Sequence, residues 1–166
     1  MVVIVIIAIL ASLILLNIDG VDQRKAMQAR EFLILDLKKI NKEATDQSRI
    51  LALATRSATD VTPFTYQVLQ YQQQSNQRII QEDKKWQPYA EFPVRTLPEH
   101  VMFNVEAKDW NEQTGTNQDL ISQQAPKLIW LGNGEAKPVT IQFYFEQQPV
   151  GEPIEVDHLG NINENE

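Results

Sequence analysis

The sequence predicts an α+β fold in which one long N-terminal helix is followed by an antiparallel β-sheet domain. Three observations lead to this class. The chain of 166 residues begins with an apolar run, continues with a segment of helical period, and then changes to short β-rich runs divided by turn residues. We expect an apolar helix over residues 1–20, the amphipathic half of the same helix over 21–48, and a β domain over 49–166.

The apolar run extends from Met1 to Leu16 and is interrupted only by Ser12. As a helix it would rise about 24 Å, which is less than the roughly 30 Å of a bilayer core. No basic residue precedes it and apolar residues follow its only Ala-x-x-Ala, so the pattern disfavours a secretory signal peptide. A core helix that is apolar all round would be unusual at a terminus. We therefore expect a membrane or filament anchor whose beginning lies upstream. The residues expected to pack there are Val2, Val3, Ile6, Ile7, Leu10, Leu13 and Ile14.

The next segment has the period of a helix with one apolar face. Apolar residues recur every three or four positions, as Ala26, Ala29, Leu33, Leu37, Ile40 and Ala44. Charged residues, Asp36 among them, fall largely outside this stripe. A helix from the first residues to about Asp46 would be near 70 Å long. We expect its upper half to pack on the β domain and its lower half to protrude.

Two apolar residues, Phe32 and Leu35, lie away from the stripe, and Leu35 is nearly opposite to it. Exposed apolar residues are common on soluble proteins, which is one interpretation. The other is a second contact face for neighbouring subunits. On that second interpretation, Phe32 and Leu35 are candidate subunit-interface residues.

Beyond Ser48, short runs rich in β-branched and aromatic residues predict strands. They occupy residues 49–55, 64–71, 91–97, 101–107, 127–131, 139–146 and 153–162. Apolar and polar residues alternate over 139–146, which is typical of a half-buried antiparallel strand. The run 49–55 also continues the helical stripe; we favour a strand, with the helix ending near Gln47.

Two connections can be predicted. Asn133-Gly134 favours a tight hairpin turn in which these residues supply the positive φ angles. Residues 106–125 have the composition of a long loop.

Composition excludes several classes of function. The net charge of −7 and the pI near 4.9 disfavour a nucleic-acid partner, because such affinity comes largely from clustered Lys and Arg. The chain has no cysteine, which excludes disulfides, thiolate metal sites and cysteine nucleophiles.

No motif predicts catalysis or a cofactor. Gly132-x-Gly134 lacks the following glycine, lysine and helix of a phosphate-binding loop. Neither histidine has the context of a catalytic triad. In residues 155–158, strand alternation would separate His158 from Glu155 and Asp157, which is poor geometry for one metal ion. We expect no catalytic, cofactor-binding or metal-binding residues.

The order of motifs resembles the minor pseudopilins of the bacterial type II secretion system, in particular the H-type subunit of the GspH/FimT family. The resemblance covers nearly the whole chain. It rests on "MVVIVIIAILASLILL", "LILDLKKINKEATDQSRILALAT", "FTYQVLQY", "KKWQPY", "RTLPEHVMF", "PKLIWLGNGEAKPVTIQFYF" and "PIEVDHLGNI", in this order.

The resemblance implies a long pilin-like helix packed on a sandwich of two antiparallel sheets, without enzymatic activity or cofactor. It implies as partners the I-, J- and K-type minor pseudopilins and the G-type major pseudopilin. It also implies a single-pass inner-membrane protein with a periplasmic domain before assembly, and a periplasmic pseudopilus afterwards.

Two alternatives are considered. A FimT/FimU-like minor pilin of a type IV pilus would share the fold. DNA-binding members of that group would want a basic C-terminal segment, whereas residues 161–166 contain two glutamates and no Lys or Arg. A membrane-tethered periplasmic binding module or enzyme is the alternative from a different class.

Overall fold

The computed structural model describes residues 2–72, 85–108 and 125–164, and the side chains of residues 22–72, 85–108 and 125–163. A single helix, α1 (Val2–Asp46), leads into two antiparallel sheets. The strands are β1 (Leu51–Arg56), β2 (Thr65–Tyr71), β3 (Trp86–Pro88), β4 (Arg95–Thr96), β5 (Val101–Ala107), β6 (Leu128–Trp130), β7 (Val139–Phe145), β8 (Gln148–Val156) and β9 (Ile162–Glu164). The predicted fold class, a long helix on antiparallel sheets, is confirmed.

The two sheets differ in how their strands are connected along the chain. The first has the order β3-β2-β1-β6, and β4 pairs with a separate stretch of β2. The second has the order β5-β7-β8-β9. All the pairings between these strands are antiparallel, so neighbouring strands alternate in direction across each sheet.

The core lies between the two sheets and under the helix. Phe64 directly precedes β2, and Tyr66 lies in it. The centroids of their rings are 4.9 and 5.8 Å from the centroid of the Phe103 ring in β5. The ring of Phe103 in turn lies 5.2 Å from that of Phe143 in β7. The helix lies against β7 and β8 and also contacts β6 and β9. The whole predicted helical stripe, from Ala26 to Ala44, is buried.

The helix ends in a Schellman motif, as its hydrogen bonds show. The backbone N–H of Arg49 donates to the carbonyl of Ala44 at 2.9 Å, and the N–H of Ser48 donates to that of Thr45 at 3.2 Å. Ser48 takes the left-handed conformation, with φ 50°, that this motif requires. The predicted end near Gln47 and the strand over 49–55 are therefore confirmed.

Two predicted strands are wrong in extent. Over 91–97 only Arg95–Thr96 is a strand, because the chain turns at Tyr89–Phe92 and Pro93 has no N–H to give to a sheet. The run 153–162 is two strand ends joined by a turn. There Gly160 takes a φ of 73° and its N–H donates to the carbonyl of Asp157 at 3.1 Å.

The predicted Asn133-Gly134 turn is one residue longer than expected. Gly134 has a φ of 92°, but Asn133 is not among the residues with positive φ. The N–H of Gly134 donates to the carbonyl of Leu131, and the N–H of Leu131 donates to the carbonyl of Glu135. This is the three-residue hairpin loop in which a single left-handed residue follows a turn. The carboxamide oxygen of Asn133 accepts the N–H of Glu135 and stabilises that form.

A hairpin with a two-residue turn joins β7 to β8, although the sequence has no typical turn residues there. Glu146 and Gln147 have φ angles of 46° and 70°, and Phe145 pairs directly with Gln148. Turns of this kind normally carry Asn or Gly, because other residues pay roughly 1–2 kcal/mol for a left-handed conformation.

Replacing both turn residues, as Glu146→Asn with Gln147→Gly, should raise the free energy of unfolding by about 1 kcal/mol. The free energy gained by relieving backbone strain in the folded state exceeds the cost of the conformational entropy that glycine adds to the unfolded chain. Urea denaturation would show a higher midpoint at an unchanged m-value. Ser48→Gly should act in the same direction. A lower midpoint for the double variant would contradict the positive φ angles.

Candidate functional site

The residues considered for metal binding have structural partners instead. Glu155 forms an ion pair with Lys108 at 2.9 Å. One carboxylate oxygen of Asp157 accepts the N–H groups of Leu159 and Asn161, and the other accepts the Asn161 side chain. Burial acts to raise the pKa of Asp157, but these hydrogen bonds outweigh it and the pKa is lowered. Among the described residues, no group of three or more His, Cys, Asp or Glu could hold a metal ion.

One flank of α1 is covered by residues 89–99, which we call the strap. Three contacts join them: the Tyr89 hydroxyl donates to Glu43 at 3.0 Å, the Lys39 ammonium lies 4.8 Å from the centroid of the Phe92 ring, and the Arg95 guanidinium binds Asp36. Helix numbers fall as strap numbers rise, so the strap runs antiparallel to the helix. The pKa of the Lys25 ammonium is raised mainly by its hydrogen bond to Asp22 and by the charge of Asp22. The charge of Glu99, farther along the strap, contributes a smaller effect in the same direction.

Asp36 is the centre of the strap's attachment. The Arg95 Nε and Nη2 atoms donate to its two carboxylate oxygens at 3.1 and 3.2 Å, and the Tyr66 hydroxyl donates at 2.8 Å. Burial, and then the hydrogen bond to Asp36, raise the pKa of Tyr66. The hydrogen bond and the charge of Asp36 raise the pKa of Arg95. This network ties the helix to both the strap and β2.

Asp36 lies outside the apolar stripe, as its spacing predicts, and yet its side chain is buried and only 7% exposed. The covered face of the helix is wider than its apolar stripe, because the strap covers a second side. The partners of Asp36 lie 30 and 59 residues away along the chain, beyond the reach of any periodicity.

Asp36→Ala should lower the free energy of unfolding by about 2 kcal/mol, because it leaves the buried Tyr66 hydroxyl and the Arg95 guanidinium without their acceptor. The loss is smaller than for a fully buried pair, since the Arg95 side chain is half exposed and can be solvated. Chemical denaturation measures it. Asp22→Ala, which removes the exposed pair with Lys25, is the matched control and should change nothing measurable. Equal effects of the two substitutions would contradict the assigned role of Asp36.

The opposite flank of α1 rests on the second sheet. The register of β8 shifts between Val150 and Ile154, opposite β7. At this irregularity the Arg30 Nε donates to the carbonyl of Glu152 at 3.0 Å. Near the end of the helix, the Asn41 carboxamide donates to the carbonyl of Gly160 at 2.9 Å. The helix is thus held on two sides.

The third side of α1 is open. The predicted interface residues Phe32 and Leu35 are 66% and 60% exposed, whereas Leu33 and Leu37 are fully buried. The exposed charged side chains from residue 23 to residue 42 are basic with one exception. They are Arg24, Lys25, Lys38, Lys39 and Lys42, and the acidic Glu31.

The strap carries an exposed apolar residue of its own. Val94 is 59% exposed and belongs to the strap, between Phe92 and Arg95. Those two neighbours contact Lys39 and Asp36, so this part of the strap lies beside residues 36–39 of the helix. The sequence predicts a strand over 91–97, and no local signal pairs residue 94 with the helix.

The predicted packing residues of the N-terminal half lie in α1, but their side chains are outside the described part of the structure. They are Val2, Val3, Ile6, Ile7, Leu10, Leu13 and Ile14. Among the described residues, none of the helices combines the length and the apolar character needed to cross a membrane.

No protein-family model and no curated protein matches this sequence. Solved structures do match it. One structure of the minor pseudopilin EpsH from the type II secretion system of Vibrio cholerae is 20% identical, covers 84% of this chain and 94% of its own, and has a TM-score of 0.56. The chain has the minor pseudopilin fold. A crystal structure of EpsH agrees, at 19% identity, with 85% and 93% coverage and a TM-score of 0.58. The pseudopilin fold therefore extends over most of both chains.

Proposed function

We propose that this chain is a minor pseudopilin, a structural subunit at the tip of the type II secretion pseudopilus that helps to export folded proteins across the outer membrane. The observation that carries the proposal is the shared fold: a long helix whose upper half is clamped on a two-sheet domain, as in EpsH over 84% of this chain. The role is structural rather than enzymatic.

The N-terminal half of the helix has two successive environments in this proposal. Before assembly, the apolar residues 1–20 anchor the chain in the bacterial inner membrane, with the β domain in the periplasm. During assembly the same apolar surface, from Val2 to Ile14, is covered by the helices of neighbouring subunits. Extraction from lipid is tolerable because one apolar environment replaces another.

The upper half of the helix supplies a second contact. Phe32 and Leu35 form the proposed subunit interface, on the side that neither the strap nor the second sheet covers. The proposed partners are the I-, J- and K-type minor pseudopilins and the G-type major pseudopilin. The acidic chain has no proposed nucleic-acid partner.

The test is a deletion strain of the source bacterium. Secreted enzymes should accumulate in its periplasm. A plasmid that encodes the full chain should restore their secretion into the medium. Normal secretion with a loss of surface pili would overturn the proposal in favour of a FimT/FimU-like minor pilin. Normal secretion and normal pili would favour a membrane-tethered binding module.

A further inference from the structure

Asn133 is the only asparagine in the sequence that is followed by a glycine, Gly134. An asparagine can lose its side-chain nitrogen when the backbone nitrogen of the next residue attacks the carboxamide carbon. Glycine has no Cβ atom to obstruct that approach, so an Asn-Gly pair in a free peptide reacts faster than other pairs. The sequence therefore contains one asparagine at which this chemistry is expected before any other.

Hydrogen bonds of the hairpin loop hold both reacting groups. The attacking atom is the backbone nitrogen of Gly134, and its N–H donates to the carbonyl of Leu131 at 3.0 Å. The carboxamide oxygen of Asn133 accepts the N–H of Glu135 at 3.0 Å, and the carboxamide nitrogen donates to a Glu135 carboxylate oxygen at 2.9 Å. The attack needs a Gly134 nitrogen without its proton and a carboxamide that is free to turn, so these bonds oppose it.

The carboxylate of Glu135 opposes the reaction in a second way. Removal of the Gly134 proton creates negative charge close to a charge of the same sign, which is unfavourable. The departing nitrogen of Asn133 must gain a proton, whereas an ionised carboxylate can only accept a hydrogen bond from it. The Glu135 side chain therefore stabilises the intact amide.

The loop is also packed against the end of α1. A Cβ atom at Gly132 would lie 2.5 Å from the carbonyl carbon of Ser48, which shows how closely the two backbones approach. Directly after the loop, Ala136 is fully buried and its N–H donates to the carbonyl of His158 at 3.1 Å. Opening of the loop is thus coupled to the helix end and to the β8–β9 turn, which makes the open state rare in the folded chain.

We propose that Asn133 is a deamidation site that the native hairpin holds unreactive and that reacts when the chain unfolds. In this reaction a bond forms between the Gly134 nitrogen and the side-chain carbonyl carbon of Asn133, and the bond from that carbon to the side-chain nitrogen breaks. The proton of the Gly134 N–H leaves with that nitrogen as ammonia. Water then opens the succinimide ring at either carbonyl and gives aspartate or isoaspartate. The inference goes beyond the proposed function and does not depend on it.

The experiment compares the full chain folded in detergent micelles with the same chain unfolded in guanidinium chloride, at one pH and one temperature. Samples taken over time are digested, mass spectrometry measures the deamidation of each asparagine, and an isoaspartyl methyltransferase labels the isoaspartate product. In the unfolded chain, Asn133 should deamidate faster than every other asparagine. In the folded chain its rate should be lower by about tenfold or more, because the hydrogen bonds of the loop must first be given up.

Glu135→Ala tests the protecting contacts, since it removes the acceptor and the charge beside the Asn133 carboxamide. Deamidation of Asn133 should become several-fold faster in the folded chain and change little in the unfolded chain. Glu152→Ala, which removes an exposed carboxylate of β8, is the matched control and should leave both rates unchanged. Both variants should keep the melting temperature of the parent chain, because the substituted side chains are exposed.

Each outcome supports or overturns a part of the proposal. Equal rates at Asn133 in the folded and the unfolded chain would overturn the protection by the hairpin. Faster deamidation of another asparagine in the unfolded chain would overturn the choice of site. A folded-state rate that Glu135→Ala leaves unchanged would overturn the role of the Glu135 side chain. The proposed function is decided separately, by the secretion of the deletion strain.

Discussion

Gly132→Ala should destabilise the protein by about 3 kcal/mol or more, or prevent folding altogether. A Cβ atom at Gly132 would lie 2.5 Å from the carbonyl carbon of Ser48 and 2.8 Å from the backbone nitrogen of Arg49. These are backbone atoms of the Schellman motif, so no side-chain rotation can relieve the clash. The loop after β6 and the end of the helix approach so closely that the position admits only glycine. Circular dichroism with thermal and urea denaturation measures the loss.

Gly134→Ala provides the matched control two residues away. Gly134 has a φ of 92°, but the nearest atom to an added Cβ is the Thr45 hydroxyl oxygen at 3.9 Å. We expect only the strain of a left-handed alanine, about 1 kcal/mol. If Gly134→Ala costs as much as Gly132→Ala, the close approach of this loop to the helix end is wrong.

Leu37→Asp should lower the free energy of unfolding by several kcal/mol, because it places a charge in the core. Leu37 is fully buried between the helix and the β domain, in the middle of the apolar stripe. The variant should lose its cooperative thermal transition or show a much lower melting temperature. Circular dichroism and urea denaturation of the full chain in detergent would measure either result.

Leu35→Asp is the control on the same helix, two residues away. Leu35 is 60% exposed, and we expect its substitution to change stability by less than about 0.5 kcal/mol. The variant should nevertheless weaken assembly with partner pseudopilins. Equal destabilisation by Leu35→Asp and Leu37→Asp would contradict the orientation assigned to the helix.

The periodicity of apolar residues predicts the buried face of the helix and the strand β7. The spacing from Ala26 to Ala44 identifies the buried helix face, since a helix repeats every 3.6 residues. The alternation over 139–146 identifies β7, whose odd-numbered residues Val139, Ile141 and Phe143 are buried. The exposure of Phe32 and Leu35 follows from the same helical wheel.

Contacts between distant segments are beyond such patterns. The carboxylate of Asp36 is buried because Tyr66 and Arg95 come to it from elsewhere in the chain. The strap lies beside the helix because Arg95 binds Asp36 and Phe92 contacts Lys39. The hairpin at Glu146-Gln147 is imposed by the pairing of β7 with β8 against the local preference of both residues.

In the proposed function the open face of α1 contacts other pseudopilins, and cross-linking in cells can detect that contact. The chain has no cysteine, so Leu35→Cys provides a single thiol, and a maleimide–succinimide reagent can join it to a nearby amine of a partner. We expect an adduct with another pseudopilin of the strain, identified by mass spectrometry, and little adduct from Leu159→Cys. An adduct pattern that is the same at both positions, or that lacks any pseudopilin at residue 35, would show that this face is not a subunit interface.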